Sequence, residues 1–180
     1  MPTSRRLFLG GIAGLVAMPG VRALAGPAAP APGLAHAFTV LVKVATPVEL
    51  GTIAGAQRRF IPIVGGTVEG PRLTGEVLPW GGDWQDIRPG GVTEVTARYF
   101  LKAEDGTVIG VENAGLRIAS EAVTADLARG VPVDPRAYYF RTTPRFDVAP
   151  GAHGWLSRTA FVASGIRRPD LVQIDIFSID

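Results

Sequence analysis

Apolar residues along this chain come in short, largely β-branched runs, and the runs are bounded by glycine or proline. That pattern belongs to strands separated by turns, because glycine supplies left-handed backbone and proline cannot donate to a sheet ladder. Residues 38–44 (FTVLVKV) form the first run, bounded by Pro47, and predict a strand. A glycine-marked loop is expected over 50–55. A second strand follows over 58–64, with Pro62 marking an edge or a bulge. Gly65-Gly66 is expected to turn the chain. Short strands are expected at 67–70 and 73–78, broken by Pro71, and a tryptophan-rich loop over 79–85.

The runs at 95–101 and 108–111 flank Asp105-Gly106. An Asp-Gly pair between β-prone runs is a strong hairpin signal, since both residues tolerate positive φ. Residues 119–128 (ASEAVTADLA) are the one expected helix, with Ser120 placed to cap it and Gly130 and Pro132 to stop it. Strands follow at 138–142, 156–163 and 172–179. About eight to ten short strands at turn-separated spacing predict a sandwich or a barrel.

The chain has 180 residues, which sets one domain as the expectation. Its 47% hydrophobic and 19% charged content is that of a folded protein. No apolar run in it is long enough for a membrane-spanning helix. There is no cysteine, which removes disulfides, thiolate catalysis and cysteine-based metal sites. The histidines are His36 and His153 only, too few for a histidine metal cluster, and a Ser-His-Asp triad would rest on His153 alone. No GxGxxG opens a helix, no GxxxxGK[ST] is present, and no GxSxG appears, so no cofactor is expected.

The first residues read as an address. Ser4-Arg5-Arg6-Leu7-Phe8-Leu9 precedes a weakly apolar stretch over 10–18, and Ala23-Leu24-Ala25 ends it as a peptidase site. Adjacent arginines before Phe and Leu resemble the twin-arginine export signal. Residues 1–25 are therefore expected to be removed and the remainder to be periplasmic or secreted. With no cofactor motif in the body, folding before export is the expected reason for that route. Residues 26–36 read as an Ala/Pro-rich tether and 37–180 as the folded domain. The formal charge of +2 owes three arginines (Arg5, Arg6 and Arg22) to the leader, so the body is close to neutral. A near-neutral body with no basic run gives no footprint for nucleic acid.

Several motifs, in order, carry a resemblance. Gly65-Gly66-Thr67-x-Glu69-Gly70-Pro71-x-Leu73-x-Gly75, Gly81-Gly82-Asp83-Trp84 and Ala97-Arg98-Tyr99 come first. Asp105-Gly106, Tyr139-Phe140-Arg141-Thr142-x-Pro144-x-Phe146 and Trp155-Leu156 follow. Over about residues 38–180 the chain resembles the DUF3237 (UPF0311) proteins. The resemblance implies an all-β fold: a single antiparallel up-and-down β-barrel, calycin- or lipocalin-like, with at most one short helix, commonly paired as a homodimer. It implies little chemistry, since the family is named for its unknown function. The chain departs from the pattern at Thr96, where an acid is usual, at Ser157, where Asn is usual, and at Asp147, where Glu is usual.

The body holds 13 Arg and 2 Lys. Arginine is used where a planar fork grips a carboxylate or stacks on a ring. Arg58 and Arg141 sit in strand runs, so both are candidates for an anion clamp or, equally, for paired surface cations. Glu76 and Asp83 are the candidate catalytic carboxylates, a general acid and base if they meet at a barrel mouth. Asp83 in its Gly-rich segment also fits a simple loop-capping role. Trp84 and Tyr99 are candidate ring contacts for a ligand; Trp155 and Tyr138 read as packing. The expected site is a pocket at the barrel mouth lined by Arg58, Glu76, Asp83, Trp84, Tyr99 and Arg141, with no metal. Two functions fit it. One is a module that binds a small aromatic or carboxylated molecule. The other is a cofactor-free lyase or isomerase with a carboxylate base and an arginine steadying the developing oxyanion.

Overall fold

The computed structural model describes residues 29–180, and the compact unit that holds the strands spans Pro32–Asp180. The expected export signal and the first tether residues lie outside the described residues. Ten strands follow in chain order: β1 (Leu34–Val44), β2 (Val48–Ile53), β3 (Ala56–Glu69), β4 (Gly75–Val77) and β5 (Gly81–Arg88) come first. The rest are β6 (Val92–Ala103), β7 (Val108–Ile118), β8 (Tyr139–Val148), β9 (Phe161–Arg167) and β10 (Leu171–Ile179). All pair antiparallel. β1 joins both β10 and β3, so the sheet closes on itself.

The ring has eight positions because two of them are shared. β1 and β2 both pair with β3, along its second and first halves respectively. β4 and β5 both lie between β3 and β6. Pro62, expected at an edge or bulge, marks the place where the neighbour of β3 changes from β2 to β1. There its carbonyl accepts from the Ala45 amide at 2.9 Å, and its own missing N–H costs nothing.

Alternation sets what faces inward. Phe38, Val40 and Val42 of β1 are buried, as are Thr93, Val95, Tyr99 and Leu101 of β6 and Ile174 and Ile176 of β10. One end of the barrel is plugged by aromatic rings meeting edge to face. Phe38 to Phe146 is 5.7 Å between centroids and Phe146 to Phe161 is 5.1 Å, with Trp155 against both Phe38 and Phe161. The Arg72 guanidinium stacks on Trp155 at 3.7 Å. Near the other end lies α1 (Glu121–Ala128), one residue pair shorter than expected. Ser120 caps it by accepting from the Val123 amide, and Leu127 is its buried residue.

The Asp105-Gly106 hairpin forms as expected. Gly106 has φ +85°, its amide donates to Ala103 O at 2.8 Å, and the Asp105 carboxylate accepts from the Thr107 amide. Five expectations change. Gly65-Gly66 does not turn the chain, because β3 runs through it as a bend at a register shift against β1. Residues 79–85 are not a loop, since β5 begins at Gly81; Gly82 is needed there because a Cβ would fall 1.9 Å from the Phe60 ring. The loop over 50–55 is mostly β2, turned by Ala54-Gly55, and its wholly exposed side chains gave no alternation to read. Leu34 to His36 of the tether pair with β10, which would otherwise present an open edge. The 156–163 strand is instead a 3-10 turn (Leu156–Arg158) followed by β9.

One seam of the ring is thin. β8 and β9 pair only at Arg141↔Ser164 and Thr142↔Ala163. Closure there is completed by the Phe140 ring, which covers Gly165, and by the Arg167 amide donating to the Tyr138 hydroxyl at 3.0 Å.

The glycines separate two kinds of cost. Gly66 has φ +146° and a Cβ on it would lie 2.0 Å from Leu41 O, whereas Gly106 has positive φ in open space. Gly106→Ala is expected to cost about 1 kcal/mol, and Gly66→Ala at least about 3 kcal/mol or the fold itself. Urea unfolding midpoints check the ordering; equal costs would mean β3 does not bend against β1 as described.

Candidate ligand cavity in the barrel

Between the aromatic plug and the open end the inward positions change character. β3 places Arg59 at the cleft outside. β5 contributes Asp83 and Gln85, β7 Asn113 and Arg117, β8 Thr142 and β9 Arg167, among the apolar side chains Val42, Ile61, Ile63, Val95, Phe140 and Ile174. They enclose a cavity with about 50 Å³ of room for the centres of water-sized molecules. That is more than one water needs. Arg117 and Arg167 line both this cavity and a larger open cleft of about 590 Å³ beside α1, which Arg59 also borders. Leu127 of α1 walls that cleft, and Glu49 and Asp170 stand on its rim.

The polar groups form a directed chain. Gln85 donates from Nε2 to Asp83 Oδ2 at 2.5 Å, and its Oε1 accepts from Arg59 Nε at 3.0 Å and Nη2 at 2.8 Å. Asp83 Oδ1, Asn113 Oδ1 and Thr142 Oγ1 are buried with no partner in the protein. Among the described residues, none of Arg59, Arg117 and Arg167 forms an ion pair with a carboxylate.

Burial works against every charge here. It pushes the Asp83 carboxyl above the ordinary range, against the Gln85 hydrogen bond, the charge of Arg117, a backbone hydrogen bond from Thr96 and the charge of Arg59, which pull it down. It lowers Arg117 to about 10, with the like charges of Arg59 and Arg167 adding to the effect. Arg59 and Arg167 are lowered from the same first cause. Tyr99 is raised, by burial and then by the charge of Asp83. The three guanidinium groups share one inward carboxylate, Asp83, while Glu49 and Asp170 act on Arg59 and Arg167 from the cleft.

Of the six residues expected to line the pocket, the structure brings together Asp83 and Tyr99. The other four lie on the outer face. Arg58 is paired with Asp86 at 2.7 and 2.9 Å. Glu76 is paired with Lys102 at 3.1 Å. Trp84 packs on Phe60 at 4.9 Å. Arg141 donates to its neighbour Phe140 O at 2.8 Å and lies over the Tyr139 ring at 5.5 Å. The reason is the two-residue period of a strand: Arg59 and Thr142 point in, so Arg58 and Arg141 point out. Thr96, the departure from the family pattern beside Ala-Arg-Tyr, also faces out, opposite Trp84, and leaves the cavity unaltered. Arg59, Gln85, Asn113, Arg117, Thr142 and Arg167 were not singled out. Counting in twos from the Asp105-Gly106 hairpin, through the pairs Ala97↔Asn113 and Thr93↔Arg117, is the signal that reaches two of them.

Comparison with known proteins gives the chain a place. The model of the family described as "Protein of unknown function (DUF3237)" matches residues 32–179. UPF0311 protein RPA1785 of Rhodopseudomonas palustris is 40% identical over 144 residues, 80% of this chain and 94% of that protein. Its crystal structure superposes with a TM-score of 0.79 at 38% identity, covering 85% of this chain and all of that one. A β-barrel like protein (ABAYE2633) from Acinetobacter baumannii follows at a TM-score of 0.74 and 35% identity, covering 85% of this chain and 99% of its own. An enzyme from Penicillium herquei shares the fold alone, with a TM-score of 0.65 at 15% identity over 86% of this chain and 99% of its own. A family model that spans the whole barrel, and relatives this similar over most of both chains, place the chain in the DUF3237 family, the UPF0311 proteins.

Proposed function

We propose that the barrel binds a small organic anion, a carboxylate or phenolate, with Arg117 and Arg167 gripping it where the cavity meets the open cleft. The observation that carries this reading is Arg117: it is buried in the cavity wall beside Arg59 and Arg167, and among the described residues it has no carboxylate within ion-pair distance. Buried charge is held at a cost unless it is paired, and a bound anion supplies the missing partner. The apolar walls suit a ring or a short aliphatic body between the charged end and the plug. Benzoate binding followed by titration calorimetry tests it. Arg117→Lys is expected to weaken binding about 10- to 100-fold, since lysine lacks the two-pronged contact. Arg141→Lys, on the outer face, is expected to change nothing; equal effects of the two, or none of either, overturn the reading.

The place of action belongs to the same proposal. Arg5 and Arg6 with the Ala23-Leu24-Ala25 site support export as a folded barrel. Intact mass of extracytoplasmic protein is expected to begin near Gly26, and the double change Arg5→Lys, Arg6→Lys to keep the protein inside the cell. Unaltered export of the double variant would remove this part.

A second reading, a cofactor-free lyase or isomerase, is favoured by one observation: Asp83 is displaced toward neutrality and keeps Oδ1 free in the cavity. In it Asp83 takes a proton from carbon and Arg117 steadies the oxyanion that forms. Glu76 has no part, being held outside by Lys102. The displacement has a sign that can be measured. A carboxyl whose folded-state pKa is raised contributes its stability below the ordinary carboxylate range and loses it as pH rises through the folded-state value. Asp83→Asn removes that titration. Its melting temperature is expected to gain on that of the unaltered protein as pH rises above about 4, the usual carboxyl range. The opposite slope would show Asp83 held ionised by its arginines and remove the base.

A further inference from the structure

The anion reading explains the arginines and leaves three buried atoms unexplained. Asp83 Oδ1, Asn113 Oδ1 and Thr142 Oγ1 all line the same cavity, and none has a hydrogen-bond partner in the protein. A buried polar atom without a partner carries the full penalty of its desolvation, so three in one cavity mark the place where something else binds.

Their placement is ordered. Asp83 pairs with Ala97 and Ala97 with Asn113, so the two unpartnered oxygens stand on one rung, on either side of the smallest inward side chain nearby. Thr142 pairs with Gly115, midway between Asn113 and Arg117 on β7. Four residues of strand separate Asn113 from Arg117, about 13 Å along β7, with the arginine toward the open cleft. The cavity therefore has a cationic outer end and a hydrogen-bond-accepting inner end. Asn113 Oδ1 accepts only, the Asp83 oxygen accepts when the carboxyl is ionised, and the third is a hydroxyl that serves either way. A cationic donor is unsuited to the inner end, because Arg59 and Arg117 both act on Asp83 from nearby.

We infer that the ligand is a hydroxylated organic acid, its carboxylate on Arg117 and Arg167 and its hydroxyl donating into the group formed by Asp83, Asn113 and Thr142. This rests on the anion reading above and adds the chemistry of the second end. The hydroxyl donates a hydrogen bond to Asp83 Oδ1 or Asn113 Oδ1, and its oxygen accepts one from Thr142 Oγ1. A site built to bond a hydroxyl discriminates strongly against the analogue without one, because the buried groups are then left unpaired.

The test uses the full chain and three matched sets of probes: benzoate, the three hydroxybenzoate isomers, and the corresponding methoxybenzoates, which accept but do not donate. Calorimetry is expected to show at least one hydroxybenzoate binding about 10-fold or more tightly than benzoate and than its own methoxy analogue. Thr142→Val and Asn113→Leu, made separately and checked for unaltered melting, are expected to reduce that preference to under about threefold while benzoate affinity stays within about twofold. Arg117→Lys is expected to weaken all probes alike and to preserve the preference. Equal binding of benzoate and every hydroxybenzoate overturns the inference and leaves the anion reading standing, with water serving the three atoms. Failure of every probe to bind overturns both. The comparison of hydroxy with methoxy probes on the unaltered chain stands even if neither variant folds.

Discussion

Closing a strand ring gives every second residue to an interior it shares with seven other positions, and most of this structure follows from that geometry. A residue that faces in deep within the ring has no route to bulk water, so its polarity must be answered inside. In the plugged half the answer is simple: Phe38, Phe146, Phe161 and Trp155 fill the space with rings. Toward the open half the same inward positions carry Arg59, Asp83, Gln85, Asn113, Arg117, Thr142 and Arg167, and the protein answers them only in part. The Gln85 side chain ties one arginine to the one carboxylate, Arg167 donates to the Arg168 carbonyl, and Asp83 Oδ1, Asn113 Oδ1 and Thr142 Oγ1 are left without a partner in the protein. A barrel that only needed to be stable would be expected to fill these positions with aliphatic side chains.

The two halves also differ in how they are held. The plug is packing, and rings at 5 to 6 Å tolerate no water between them. The open half relies on hydrogen bonds and on charge, whose strength depends on what occupies the cavity. The outer arginines are a separate matter. Arg58, Arg88, Arg98 and Arg136 each sit beside a carboxylate at the surface. Such exposed pairs add little to stability. None of the inward three forms such an ion pair among the described residues; Glu49 and Asp170 act on Arg59 and Arg167 only from the cleft.

The fold was largely legible in the sequence and the site was legible in part. Turn residues and β-branched runs placed most strands, and Ser120 and Asp105-Gly106 located the helix start and a hairpin. Segments with no alternation were misread: β2 is exposed throughout, and β5 opens with two glycines whose purpose is the approach of the Phe60 ring rather than a turn. Which side of each strand faces in was not legible, because side-chain direction flips with every residue. Arg58 and Arg59 are adjacent in sequence and on opposite faces of the wall; so are Arg141 and Thr142. Asp83 and Tyr99 fell on the inner side. The register shift of β3 against β1, a tertiary feature, is what sets the parity of β3, and no local pattern announces it.

The thin seam between β8 and β9 bears on how this barrel behaves as a mechanical object. Elsewhere a strand is tied to its neighbour along most of its length; here two residue positions bridge the gap, and a phenyl ring over a glycine completes the closure. Opening a ring requires breaking one ladder, and the ladder with the fewest rungs breaks with the least loss. On that count, opening is expected to begin along this one longitudinal line rather than evenly round the cylinder. That line passes through Thr142, an inner wall residue, and ends at Arg167, which guards the cleft. Any molecule that bridges these two residues to the opposite wall acts as a rivet across the fault line, and its departure loosens the whole cylinder.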